Sequence, residues 1–238
     1  MWLTLFKPLA HRSPDRTLRT ALLLGGLCLL LFAVTAAVTG PGAPLQHANQ
    51  DATTRIHHAL TPQTVVLFKD ITWFGSPGIW VTSLSVGALL LRRRQWLHVA
   101  IGVVTIGGGA LINEIAKFLF ARPRPGFPDA AVIERSYGFP SGHSLSSLLA
   151  YGLLLYFVWP ALRARRVRLL LLSGLVVGLA LIGLSRVILG VHFVGDVIGG
   201  WTLGGTWLAL WTGVMHTIRR RKGAGPPAST GSVAPSQT

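Results

Sequence analysis

Four consecutive apolar stretches carry reactive or charged groups at their ends. The stretch closing NEIAKFLFARPRPGF supplies Glu114, Lys117, Arg122 and Arg124, and the next opens FPSGHSLSS with Ser141, Gly142 and His143. The third closes on Ser185 and Arg186, and the fourth opens HFVGD with His192 and Asp196. Fixed cations, two histidines and little acidic charge describe an oxyanion site, most naturally for phosphate. Ser141, Gly142 and His143 open a helix, whose free N–H groups and dipole attract an anion. Gly142 lets that anion come close to the main chain. His192 and Asp196 share one helix face, so the carboxylate can hold one ring nitrogen and leave the other as a nucleophile. His143 can give the leaving oxygen a proton. The carboxylates needed for two-metal hydrolysis are missing, and a serine triad would need neither the lysine nor the arginines.

Each group also has a plainer reading by itself. Lys117 and Arg186 read as basic anchors snorkelling at helix ends. The His192–Asp196 pair reads as a local hydrogen bond, and Pro140-Ser141 as a helix entry with an N-cap. Their convergence favours chemistry, and the elements that carry them show why.

Half of the 238 residues are hydrophobic and 12% are charged, against about 25% charged in soluble domains. Mean hydropathy is +0.54. Six spans of about 20 residues, the length a bilayer needs, fall at 20–39, 71–91, 96–120, 142–160, 168–188 and 192–217. The expected fold is all-α: a polytopic membrane protein of six transmembrane helices, its active site at the extracytoplasmic helix ends. Residues 1–19 form a cytoplasmic N-terminal segment, 20–217 the transmembrane domain, and 218–238 a basic and then disordered cytoplasmic tail. Polar groups from four spans then meet at one level of the membrane, where they are costly without a function. Gly107, Gly108, Gly109, Gly174, Gly178, Gly204 and Gly205 suit close helix contact. Cys28, the single cysteine, fits a packing role.

The net charge of +15 is not spread as a nucleic-acid surface. Lys7, Arg12, Arg16 and Arg19, then Arg92 to Arg94, then Arg163, Arg165, Arg166 and Arg168, then Arg219 to Lys222 all fall on one side if six spans alternate. The positive-inside rule makes that side cytoplasmic, with both termini. Arg55, Lys69, Lys117, Arg122, Arg124, Arg135 and Arg186 lie on or near the other side and need another reason. The first apolar run, ending VTAAVTGPGA, is longer than a signal-peptide core of about 7–15 residues and is read as a retained helix. Within 41–70, the segment DATTRIHHALTPQTVVLFKDI reads as an amphipathic helix on the membrane surface. His47, His57 and His58 lack a carboxylate or cysteine partner at ligand spacing, so they are read as interfacial histidines and no metal is assigned.

The three sets of residues resemble the signature of the type-2 phosphatidic acid phosphatase superfamily. Lys117 to Arg124-Pro125 matches Lys-x6-Arg-Pro, residues 140–143 match Pro-Ser-Gly-His, and Ser185, Arg186, His192 and Asp196 match Ser-Arg-x5-His-x3-Asp. The resemblance implies that His192 becomes phosphorylated, Asp196 orients it, and His143 protonates the leaving group and then activates water. Lys117, Arg124, Ser141, Gly142 and Arg186 would bind the phosphoryl oxygens. Arg122 is expected to touch a second phosphate or a headgroup; Glu114 is expected to pair with a motif cation or to hydrogen-bond between helices. It further implies a metal-independent phosphatase in the plasma (inner) membrane, using no cofactor. Its substrate would be a lipid phosphate or pyrophosphate of the phosphatidate, phosphatidylglycerol phosphate or undecaprenyl pyrophosphate type. Membrane lipids are its surroundings and nucleic acid is not a partner. The related vanadium haloperoxidases are soluble, which six spans argue against. The rival readings are a phosphotransferase sharing the phosphohistidine, and a non-catalytic lipid-phosphate binder or transporter.

Overall fold

The structure is a computed structural model that describes residues 14–59 and 61–223. Most of the expected segment 1–19, and the Gly/Pro/Ser-rich tail from 224, lie outside the described residues. All regular elements within them are helical: α1 (Pro14–Thr39), α2 (Gln46–His58), α3 (Pro62–Trp73), α4 (Pro77–Arg92), α5 (Trp96–Phe120), α6 (Gly142–Val158), a short 3-10 turn (Trp159–Ala161), α7 (Arg165–Ile188) and α8 (Val194–Gly223).

Five segments among the described residues are long and apolar enough to cross a membrane: Leu18–Thr39, Pro62–Arg92, Trp96–Phe120, Gly142–Ala161 and Arg165–Ile188. They turn apolar side chains outward all round the molecule, among them Leu23, Leu30, Val103, Leu119, Leu170 and Val176. In water such a surface would drive aggregation; in a bilayer it is the solvated face. The sixth expected span, 192–217, belongs to α8, which is not among the five. Its 30 residues give about 45 Å of helix, but Asp196 and interspersed Gly and Thr dilute the apolar run.

Two expectations are corrected in the connections. The second span, expected as one helix over 71–91, is broken. The chain ends α3 at Trp73, turns through Phe74-Gly75-Ser76, and restarts with Pro77 at the head of α4. A Cβ on Gly75 would stand 2.7 Å from Ile182 Cγ2 and 2.8 Å from His143 Cδ2, so the break lets the chain pass tightly against the start of α6. The segment 51–71 is likewise two helices. Its first part, α2, does not present a polar face to solvent alone, because Asn49, Thr53 and His57 are buried at four-residue intervals. Asn49 Oδ1 accepts from Gly195 N at 2.9 Å and Thr53 Oγ1 from Val194 N at 3.2 Å. α2 therefore caps the first turn of α8, whose N–H groups have no partner in their own helix.

The long α8 packs along α1 and α6. Close approach depends on small residues: Gly205 faces Cys28 Sγ at 2.9 Å from its would-be Cβ, and one on Gly200 would lie 2.5 Å from the Ser141 carbonyl oxygen. Gly108, Gly109 and Gly204 also lie against neighbouring helices, whereas Gly107, Gly174 and Gly178 face nothing within 4 Å. Phe139, Leu145, Leu149 and Leu203 fill the centre of this contact.

Candidate phosphate site

The end of α5, the start of α6, the end of α7 and the start of α8 meet at one end of the bundle. α5 stops because Ala121 adopts a left-handed conformation (φ 42°), and Pro123 and Pro125 cannot continue a helix. The loop 121–141 folds back over the bundle end. Gly138 N donates to Arg122 O at 2.8 Å, and Ser141 N donates to Asp196 O at 2.9 Å, joining the start of α6 to that of α8.

Asp196 is wholly buried. Its Oδ2 accepts from Phe193 N at 2.9 Å, as a carboxylate at the third helical position does for the cap residue. The same oxygen stands 3.4 Å from His192 Nδ1. The other ring nitrogen, His192 Nε2, lies 3.1 Å from Arg124 Nη1. An arginine N–H can only donate, so Nε2 accepts and the ring proton sits on Nδ1 toward Asp196. The Nε2 lone pair thus points at the cation cluster, the tautomer a nucleophilic imidazole needs.

Arg124 is fixed by carbonyls. It donates to Val191 O and Ser136 O, each at 2.7 Å. Arg186 closes α7, is 1% exposed, and donates to Thr72 Oγ1 of α3 at 2.8 Å. Its Nε is buried and donates to none of the described residues. Between these two guanidinium groups lies Glu134, which pairs with Arg124 Nη2 at 2.7 Å and with Arg186 Nη2. Burial pushes the Glu134 carboxyl up, but the charges of Arg186, Arg124, His192 and His143 outweigh it and hold it below the ordinary glutamate range. A carboxylate bridging two arginines has the charge and fork geometry of one edge of a phosphoryl group.

Lys117 reaches this cluster from α5. Its Nζ donates to Glu114 Oε1 at 2.9 Å and lies 3.5 Å from Ser136 Oγ. Arg124 Nη2 donates to the same Ser136 Oγ at 3.0 Å, so one hydroxyl links the two cations. Glu114 also accepts from Asn113 Nδ2 at 3.4 Å. Ser141 occupies the N-cap position of α6 but makes no side-chain cap bond; its Oγ accepts from Ser144 Oγ at 3.1 Å. The Ser141 side chain thus satisfies none of the first N–H groups of α6, which include those of Gly142 and His143. His143 lies across from the break at Gly75.

Arg122, read from the sequence as a contact for a second phosphate or headgroup, points the other way. It is 3% exposed and stacks over Phe139 at 4.1 Å. It donates to Thr39 Oγ1 at 3.0 Å, Ala36 O at 3.1 Å and Asp196 Oδ1 at 3.4 Å. Asp196 therefore faces the imidazole with one oxygen and a buried guanidinium with the other. Sequence reasoning missed Glu134, Thr72 and Ser136. The one available signal was the placement of acidic residues away from the clusters expected to be cytoplasmic, which brings Glu134 to the site's side.

Fold and site define a polytopic helical membrane protein that gathers cations and a carboxylate-paired histidine at one end of its bundle. The chain belongs to the PAP2 superfamily, whose family model matches residues 97–220, a region containing every motif residue above. It is 34% identical over 138 residues to phosphatidylglycerophosphatase B of Bacillus subtilis, covering 57% of this chain and 66% of that protein. It is 32% identical over 162 residues to decaprenylphosphoryl-5-phosphoribose phosphatase of Mycobacterium tuberculosis, covering 61% of this chain and 77% of that one. The chain thus spans slightly under two thirds of the first of these relatives. The crystal structure of a transmembrane PAP2-type phosphatidylglycerolphosphate phosphatase from Bacillus subtilis matches with a TM-score of 0.73 and 29% identity, over 83% of this chain and 98% of that one.

Proposed function

We propose that the protein is a membrane lipid phosphatase that removes a terminal phosphate from a lipid phosphate monoester or pyrophosphate through a phosphohistidine. The observation that carries this is the pair of contacts made by Arg124. It donates to His192 Nε2 and shares the Glu134 carboxylate with Arg186. A phosphoryl group taking the place of that carboxylate would be gripped by both guanidiniums beside the Nε2 lone pair.

The chemistry follows in two displacements. His192 Nε2 attacks phosphorus, the N–P bond forms, and the P–O bond to the lipid breaks; the Nδ1 proton stays toward Asp196, which steadies the imidazolium character. His143 gives its proton to the departing oxygen and then takes one from the attacking water. Water forms the new P–O bond, the N–P bond breaks, and phosphate leaves. Lys117, Arg124, Arg186 and the first N–H groups of α6 hold the equatorial oxygens, whose charge grows in the transition state. None of these steps calls on a metal or cofactor.

The proposed orientation has six spans with α8 as the sixth, both termini cytoplasmic and the site on the outer face. It is supported by Arg92 to Arg94 and Arg163 to Arg168, which lie at chain reversals away from the site, as the positive-inside rule expects of cytoplasmic loops. The names of the relatives favour lipid phosphates as substrates. The test is phosphate release by the purified protein from a panel of lipid phosphate monoesters and pyrophosphates in EDTA, well below the unfolding temperature. Wild type is expected to release phosphate, and His192→Ala, recovered folded in the membrane, is expected to release none. No release by wild type from any member of the panel would defeat the reading.

A further inference from the structure

A second cluster of titratable groups stands outside the phosphate site, where the C-terminal end of α2 meets the loop 121–141. We propose that His57, His58 and Asp129 bind a divalent transition-metal ion of the zinc class, which clips α2 to that loop. This goes beyond the phosphatase reading and does not depend on it.

His57 is buried, its side chain 5% exposed. Its Nδ1 lies 2.7 Å from the Ile188 carbonyl oxygen. A carbonyl only accepts, so Nδ1 carries the hydrogen. Nε2 then presents a lone pair to Asp129 Oδ1 at 3.1 Å. Two acceptors at that distance need a positive species between them, either a second ring proton or a metal ion. Two ligands at about 2.0–2.2 Å from a shared ion stand about this far apart when they subtend a little over a right angle.

A third donor and a built surround favour the ion. His58 Nδ1 lies 4.0 Å from Asp129 Oδ2, and one ligand atom from each of the three residues lies within 4.8 Å of the others. The Ile188 carbonyl on the far nitrogen of His57 is the kind of partner that fixes a ligating imidazole. The ring is held further by Phe127, stacked at 4.3 Å, and by Gly190, where a Cβ would come 3.0 Å from His57 Cε1. Two imidazoles and one carboxylate suit zinc, copper or nickel rather than calcium or magnesium. The fourth position falls to water, since His58 and Asp129 face solvent.

The sequence hides this site because Asp129 is 72 positions from His57. Its consequence lies in what it joins. α2 caps α8 through Asn49 and Thr53, and the loop carries Arg124 and Glu134. An ion bound here would tie both to the end of α7 through Ile188.

The test uses the full chain in detergent, purified without a polyhistidine tag, stripped with EDTA and desalted. Zn²⁺ is titrated in competition with a chromophoric chelator, and thermal unfolding is followed with and without Zn²⁺. We expect one Zn²⁺ per chain with a micromolar or tighter Kd, and a rise of several degrees in the midpoint. Asp129→Asn and His58→Ala change exposed side chains, which leaves the fold intact, and each should weaken binding at least ~10-fold and erase most of the thermal shift. If wild type binds Zn²⁺ no more tightly than about 100 µM, or both variants bind as wild type does, the proposal is overturned and His57 is simply an imidazolium paired with Asp129. Neither readout involves phosphate release, so the two proposals fail separately.

Discussion

Arg122 Nη1 stands 3.4 Å from Asp196 Oδ1, with both side chains buried. The carboxylate that faces His192 is thus itself held from behind by a guanidinium anchored on α1. Removing one partner of a buried pair leaves the other charge unpaired, at a cost on the order of 3–5 kcal/mol. Arg122→Ala is expected to lower the unfolding midpoint and to reduce kcat by ~10–100-fold with KM nearly unchanged. Arg122→Lys should recover part of both. A rise in KM alone would mean that Arg122 touches substrate after all.

His143 and His192 should separate by leaving group. Protonation matters most for a poor leaving oxygen, and loss of a general acid removes ~10²–10⁴ in rate. His143→Ala should therefore lose most activity on an alkyl lipid phosphate but keep a burst of product from a lipid-tailed aryl phosphate, with labelled enzyme trapped on acid-free quench. His192→Ala should show neither turnover nor burst. A burst in His192→Ala would place the nucleophile elsewhere.

Glu134 makes two expectations. Glu134→Gln removes the carboxylate that sits between Arg124 and Arg186, so inorganic phosphate should inhibit the variant more tightly, by about tenfold. The pH dependence has a definite sign. The folded pKa lies below the ordinary glutamate value of 4.5, so the stabilising charge is present above that value and is lost as pH falls through the lower folded one. Wild type should exceed Glu134→Gln in unfolding midpoint at neutral pH, and the gap should close below about pH 4.5. A gap that widened in acid would contradict the pairing.

Gly200→Ala tests the seam between α8 and α6. The added Cβ would meet the Ser141 carbonyl at 2.5 Å, and that carbonyl is backbone, which cannot swing aside. Overpacking of this kind costs roughly 1–3 kcal/mol. Stability and kcat should fall together, since the same shift moves the start of α6. Gly174→Ala, which meets nothing within 4 Å, should change neither. Thermal unfolding and steady-state rates decide both.

The proposed orientation is open to labelling. With Cys28 replaced, a single cysteine at Ala131 should react with a membrane-impermeant maleimide on intact cells, and one at Gln95 should react only after lysis. The reverse pattern would place the site in the cytoplasm.

The sequence by itself determined the chain's membrane setting and which residues gather at one end of the bundle. Lys117, Arg124, Ser141, Gly142, His143, Arg186, His192 and Asp196 were legible because short-range helical spacing and span ends carry them, and apolar runs of bilayer length mark the helices. Even the packing of Cys28 followed from its apolar surroundings. What it could not decide were contacts between distant segments. Arg122 and Arg124 are two positions apart in one loop, and only the fold shows that one braces Asp196 while the other faces His192. Glu134 enters the cation cluster because the loop 121–141 folds back over the bundle end. The break at Gly75 and the capping of α8 by α2 depend on which helices touch, as does the meeting of Asp129 with His57. Local pattern reports which face of a helix is apolar; it carries no information about which distant loop will lie against that face.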